Sequence, residues 1–183
     1  MSARQLRWGL LGTARINRSL IPAIRASARS QLVGVASRSA ERARSYAGEW
    51  QIPVACDSYE AMLGDPQIDA VYIPLPNHLH VEWTLNAIAA GKHVLCEKPI
   101  ALVASDVDRV AEAAARRGVV VAEAFMYRHH PLTLRVAAMV NNGHIGRLRV
   151  VRGRSPSRCR APTTCVWCPT GAAGVCGTSA AIR

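Results

Sequence analysis

Short apolar runs rich in β-branched residues alternate with helical patterns along the first two thirds of this chain, and that alternation leaves few folds open. The stretches LRWGLLG (6–12), QLVGVAS (31–37), PVAC (53–56), AVYI (70–73), HVLCE (93–97) and VVVAE (119–123) read as strands. Between them, residues 15–27, 39–50, 58–63, 77–91 and 105–118 read as helices, with Asn77 and Ser105 placed to cap two of them and Gly118 to end the last. A strand, a helix and a second strand in the same direction make a right-handed crossover, and repeated crossovers build a parallel sheet covered by helices on both faces. The expected fold class is therefore α/β, a doubly wound parallel sheet of the dinucleotide-binding kind.

At 183 residues, with 50% hydrophobic and 19% charged content, the chain can bury one substantial core and carry a small appendage. No apolar run approaches the roughly 20 residues needed to cross a bilayer, and the early stretch WGLLGTA is cut off at Arg15. A cytoplasmic location with reduced cysteines, and no membrane partner, are the expectations. The formal net charge of +11 is unevenly spread: all 12 acidic residues lie at or before Glu123, leaving +2 there and +9 over residues 124–183. The first part is thus electrostatically ordinary. A basic tail can hold a phosphate backbone, but nothing before it suggests nucleic acid as the partner.

A doubly wound sheet binds ligands at the carboxyl ends of its strands. After the first strand comes GTARIN, which keeps the first glycine of G-x-G-x-x-G at Gly12 and has Ala14 and Asn17 at the other two positions. Gly12 allows a tight turn, Thr13 and Ala14 bring the backbone close to a diphosphate, and amides from Arg15 and Ile16 onward can face the phosphates. The second strand ends in Ser37 and Arg38, where an NAD-selective domain carries an acid; a hydroxyl and a guanidinium suit the 2′-phosphate of NADP instead. The fourth strand runs into YIPLPNHLH, which places Leu75, Pro76, Asn77 and His80 beside the expected cofactor. His78 and His80 lack a nearby third ligand, so no metal is expected. The fifth strand ends in Glu97 and Lys98, charges that belong in a polar cleft, and Pro99 then fixes the chain direction, with a cis bond open to it. A lysine near the nicotinamide ring has its pKa lowered by the positive ring, which makes Lys98 the candidate general acid and base.

Taken in order, WGLLGTARI, VASRS, YIPLPNHLH, HVLCEKP and EAFMYRHHP resemble the Gfo/Idh/MocA family of glucose-fructose oxidoreductase, inositol dehydrogenase and dihydrodiol dehydrogenase, over residues 6 to about 153. The resemblance implies a Rossmann domain (1–123) followed by an α+β substrate domain that binds a sugar, cyclitol or diol and forms homo-oligomers. It also implies NADP in preference to NAD, Lys98 as the catalytic lysine with Glu97 beside it, Pro76 and Asn77 in the cofactor cleft, and Arg128 at the crossover to the second domain. Only the first elements of that domain are legible, a helix near LTLRVAAMVNNG and a strand near IGRLRVVRG, within residues 124–153.

After Gly153 the likeness stops, and a cysteine-rich stretch, RCRAPTTCVWCPTGAAGVCG, stands where the family carries a GGGxLWDVGCYP-type segment. The spacing of Cys165 and Cys168 suits a zinc ribbon. The genetic code offers another account. Joining each codon's third base to the next codon's first two, Val175 through Arg183 permit the residues LWDVGCYP, and Gly171 to Gly174 permit three glycines. Residues 154–183 therefore read as an out-of-frame tail, expected to be disordered, and the zinc ribbon gives way to it. Three readings of function follow: an NADP-dependent oxidoreductase, a catalytically inactive nucleotide-binding remnant, or a basic nucleic-acid binder using the tail, the last being the weakest.

Overall fold

The computed structural model describes residues 4–151, so the zinc-ribbon and out-of-frame readings lie outside the described residues. The chain alternates β1 (Leu6–Leu11), α1 (Asn17–Ala26), β2 (Ser30–Ala36), α2 (Ala40–Trp50), β3 (Val54–Cys56), α3 (Tyr59–Gly64), β4 (Ala70–Ile73), α4 (His80–Ala89), β5 (His93–Cys96), α5 (Ala104–Arg117) and β6 (Val121–Glu123). The strands form one sheet in the order β3-β2-β1-β4-β5-β6, and every pairing is parallel. The sense in which the chain adds strands across the sheet reverses between β1 and β4, the point where loops leave toward opposite faces and a crevice opens.

Side-chain alternation along the strands separates two cores. Leu10 and Val35 face the side covered by α1 and α2, where they meet Ile21, Ile24 and Ala47. Leu11, Val71 and Ile73 face the opposite side, against Met62 and Leu63 of α3 and Trp83 and Ala87 of α4. Each fully buried large apolar side chain contributes about 1.5–3 kcal/mol, so both faces are needed to hold the sheet. Gly9 shows how tight the second face is: a Cβ there would lie 2.7 Å from Met62 Sδ. That is closer than a Cβ normally approaches, so any side chain at the centre of β1 would have to push Met62 aside.

Local chemistry sets most helix ends. The Ser39 hydroxyl accepts from the Arg42 N–H at 3.3 Å and the Ser58 hydroxyl from the Ala61 N–H at 3.0 Å, starting α2 and α3. Gly118 ends α5 with φ +70°. Two expected caps are corrected. Asn77 opens a 3₁₀ turn (Asn77–Leu79) after Pro76 with no side-chain cap bond, and α4 starts only at His80. Ser105 sits one residue inside α5, behind an extended Val103 that takes the cap position without a side-chain bond.

The chain divides into two compact units at Phe125/Met126. In the second, a 3₁₀ turn (Met126–His129) precedes α6 (Pro131–Asn141), whose Leu132, Leu134 and Val136 are more than half exposed. The strand expected near residues 145–153 is absent from the described part, 145–151. A strand needs a neighbour to take its backbone hydrogen bonds, and among the described residues this unit holds none. No helix among the described residues is long and apolar enough to cross a membrane.

Candidate active site

The carboxyl ends of β1, β2, β4 and β5 bring most of the expected site residues to one edge of the sheet. At the end of β1, Gly12 has φ +125° and its N–H donates to the Ala36 carbonyl at 2.9 Å, which ties the turn to the end of β2. A Cβ at Gly12 would sit 3.2 Å from Leu75 Cδ2, so the turn also needs the missing side chain where the loop after β4 approaches. Asn17, at the fingerprint's third glycine position, is fully buried, and its amide donates to the Gly12 carbonyl at 2.8 Å. Its side chain thereby braces the turn that a glycine would only have accommodated. The N–H groups of Asn17, Arg18 and Ser19 are used within the turn by the carbonyls of Ala14, Arg15 and Ile16. Among the described residues, those of Thr13, Ala14, Arg15 and Ile16 donate to no protein acceptor, leaving four backbone donors in succession at the start of α1.

Beside this turn lies a cleft of about 150 Å³. Gly12, Thr13 and Ala14 form one wall, Ser37 and Arg38 the end toward β2, and Leu75 and Pro76 the wall toward β4. The sequence reading missed four further lining residues: Arg42, Tyr59, Pro74 and Leu79. Arg42 was open to inference, since it stands four residues after Arg38 at the start of a helix that Ser39 caps. Two guanidinium groups and one hydroxyl thus border a single corner. Tyr59, buried and set edge-on to Trp83 at 4.8 Å between ring centroids, forms its floor. Burial raises the Tyr59 phenol above its ordinary range, while the Arg38 charge and backbone N–H and the Arg42 charge pull the other way.

The remaining expected residues are placed unequally. Arg15, Ile16 and Asn77 are exposed next to the cleft without lining it. His80 is fully buried and does not reach the cleft: Nδ1 lies 2.7 Å from the Pro99 carbonyl oxygen and Nε2 2.7 Å from that of Leu75. The ring lies between the loops that follow β4 and β5, and a ring N–H donates to one of these two carbonyl oxygens. Glu97 and Lys98 stand at the end of β5, outside the cleft lining, and the Lys98–Pro99 peptide is cis. Tyr72 donates from its hydroxyl to Glu97 Oε1 at 2.6 Å, and the Lys98 N–H donates to Glu97 Oε2 at 3.2 Å. Arg128 lies exposed in the second unit. Cys96, buried at the end of β5, has its thiol pushed up to about 12 by burial, so it is a packed neutral group and no nucleophile.

A profile described as an oxidoreductase family with an NAD-binding Rossmann fold, GFO_IDH_MocA, matches residues 6–125. The chain belongs to the Gfo/Idh/MocA oxidoreductase family. Among its Gfo/Idh/MocA relatives, D-xylose 1-dehydrogenase (NADP(+)) 2 of Haloferax volcanii is 49% identical over 134 residues, which is 73% of this chain and 41% of that protein. A dTDP-3,4-didehydro-2,6-dideoxy-alpha-D-glucose 3-reductase of Streptomyces violaceoruber is 42% identical over 151 residues, 82% of this chain and 44% of that one. The crystal structure of KijD10, a 3-ketoreductase from Actinomadura kijaniata in complex with NADP, superposes with a TM-score of 0.71 at 38% identity, covering 78% of this chain and 46% of that chain. The chain thus spans less than half the length of these Gfo/Idh/MocA relatives.

Proposed function

We propose that this chain is the nucleotide-binding part of an NADP-dependent oxidoreductase acting on a carbinol of a sugar, cyclitol or diol, with Lys98 as proton donor and acceptor. The observation that carries the proposal is the corner at the end of β2, where Ser37, Arg38 and Arg42 border one cleft and no acid takes the position that NAD-selective domains use for the ribose hydroxyl. NADP, when bound, supplies the hydride acceptor. The four open N–H groups of residues 13–16 receive its diphosphate, and the two guanidinium groups take the 2′-phosphate. Leu75, Pro76 and Asn77 border its path across the sheet edge, and Glu97 holds its nicotinamide half. The Lys98 amine exchanges a proton with the substrate hydroxyl. Names of relatives that include a xylose dehydrogenase and a nucleotide-sugar reductase support a sugar-like substrate.

The break between compact units at 125/126 supports a nucleotide-binding domain over 1–123 and the start of a substrate domain over 124–153. Arg128 at the crossover and homo-oligomers formed through the substrate domain belong to the same proposal by resemblance, and a cytoplasmic location belongs to it on the reading of the apolar runs. So does the out-of-frame origin of residues 154–183, supported by the eight successive codon agreements ending at Arg183. It favours a second reading, a nucleotide-binding remnant without turnover. Resequencing the locus tests the frame: codons 171–183 that do not spell the GGGxLWDVGCYP-type segment in the shifted frame remove it. Turnover with aldoses and diols separates the two readings.

Fluorescence titration of the full chain with NADPH and NADH tests the cofactor. Arg38→Ala and Arg42→Ala are each expected to weaken NADPH about 10-fold to 100-fold, the value of one charge-assisted hydrogen bond, and to leave NADH unchanged. Equal losses for both nucleotides, or no binding by the unaltered chain, would overturn the assignment.

A further inference from the structure

Tyr72 brings a hydroxyl into a layer whose other buried residues are aliphatic. It is 2% exposed and packs in the core shared with Leu10, Ile21 and Val35, on the α1 and α2 face of the sheet. The register of β4 against β5 pairs Tyr72 with Leu95, so Glu97, two residues on, shares its face at the diagonal position that a long aromatic side chain can reach. There the hydroxyl donates to Glu97 Oε1 at 2.6 Å, while the second carboxylate oxygen accepts from the Lys98 N–H at 3.2 Å. The carboxylate is held from two sides, from beneath by a rigid buried ring and from the flank by the backbone of the proposed acid and base. Burial and the Glu97 carboxylate push the phenol well above its ordinary range, which keeps it a donor at every working pH.

We propose that Tyr72 is a positioning residue whose hydroxyl fixes the Glu97 carboxylate toward the nicotinamide half of the cofactor and against the backbone of Lys98. The inference rests on the NADP reading above, which places Glu97 at that half, and adds the group that sets its orientation. A hydroxyl with only a packing duty would act on the whole fold, whereas one acting through Glu97 affects only what Glu97 touches.

The test is a pair of titrations on the full chain, with NADPH and with 2′,5′-ADP, which keeps the 2′-phosphate and adenosine and lacks the nicotinamide half. Tyr72→Phe is expected to weaken NADPH about tenfold and to leave 2′,5′-ADP within about twofold. Glu97→Ala is expected to give the same selective loss, and adding Tyr72→Phe to it is expected to do nothing more. Three results overturn the inference alone: unchanged NADPH affinity in Tyr72→Phe, parallel loss of both ligands, or losses that add in the double variant. If the unaltered chain binds neither ligand, the NADP reading falls and takes this inference with it.

Discussion

Replacing His80 with leucine separates two jobs that the residue can have. The side chain is fully buried, its nitrogens lie 2.7 Å from the carbonyl oxygens of Leu75 and Pro99, and a ring N–H donates to one of them. Leucine fills a similar volume and serves neither. The lost hydrogen bond costs about 1 kcal/mol net, rising to about 1–3 kcal/mol where water cannot reach the freed carbonyl. Leu75 and Pro99 are partly exposed, so water recovers part of that loss. The cost is about 1–2 kcal/mol, which for a chain of this size lowers the melting temperature by about 2–8 °C. Urea denaturation should show the midpoint falling with the slope unchanged, because the surface exposed on unfolding stays the same. NADPH affinity should fall less than in Arg38→Ala. A His80→Leu protein that melts like the unaltered chain and yet loses NADPH as strongly as Arg38→Ala would refute the structural role and make the imidazole a cofactor ligand.

Gly12→Ala is expected to lower stability by about 1–2 kcal/mol and to weaken NADPH, since φ +125° is strained for any L side chain and the new Cβ crowds Leu75; thermal melts and titration report the two effects. Asp69 accepts from the Arg7 side chain at 2.8 and 2.9 Å, and the guanidinium holds its carboxyl well below the usual carboxylate range. Its contribution to stability is therefore complete above about pH 5 and fades as pH falls through the unfolded carboxylate value near about 4 and below. Asp69→Asn should be the less stable protein at pH 7, and the gap should narrow toward pH 3 in urea melts. Val instead of Gly9 is expected to destabilise by about 1–3 kcal/mol or more through collision with Met62, with NADPH affinity per folded molecule unchanged.

The sheet was legible because its signal is repeated: each buried strand is bounded by a helix, and the parallel order follows from the crossovers alone. The turn at Gly12 and the Ser37–Arg38 corner were legible for a related reason, since they sit at strand ends whose role the topology assigns. Tyr59 was missed because it reaches the cleft from a helix, where a tyrosine in sequence looks like any core residue, and Arg42 was missed although its spacing from Arg38 pointed to it. His80 reads in sequence as a polar side chain near a site, and only the structure shows the two carbonyls it lies between. Asn77 and Ser105 failed as caps because their neighbours Pro76 and Val103 settled the backbone first. The strand near 145–153 failed because pairing is a property of two segments, and an apolar run carries only half of it.

The strand order also acts as a ruler. Between the end of β2, where the arginine corner lies, and the end of β5, where Glu97 and Lys98 stand, the sheet places β1 and β4 and nothing else. Three strand spacings of about 4.8 Å set those two ends about 14 Å apart. That interval is fixed by backbone hydrogen bonds and owes nothing to the side chains at either end. The proposed nucleotide preference can therefore change at the β2 end while the proposed proton handling at the β5 end stays as it is, so a redesign for NADH would alter residues 37–42 and leave the Tyr72–Glu97 pair untouched.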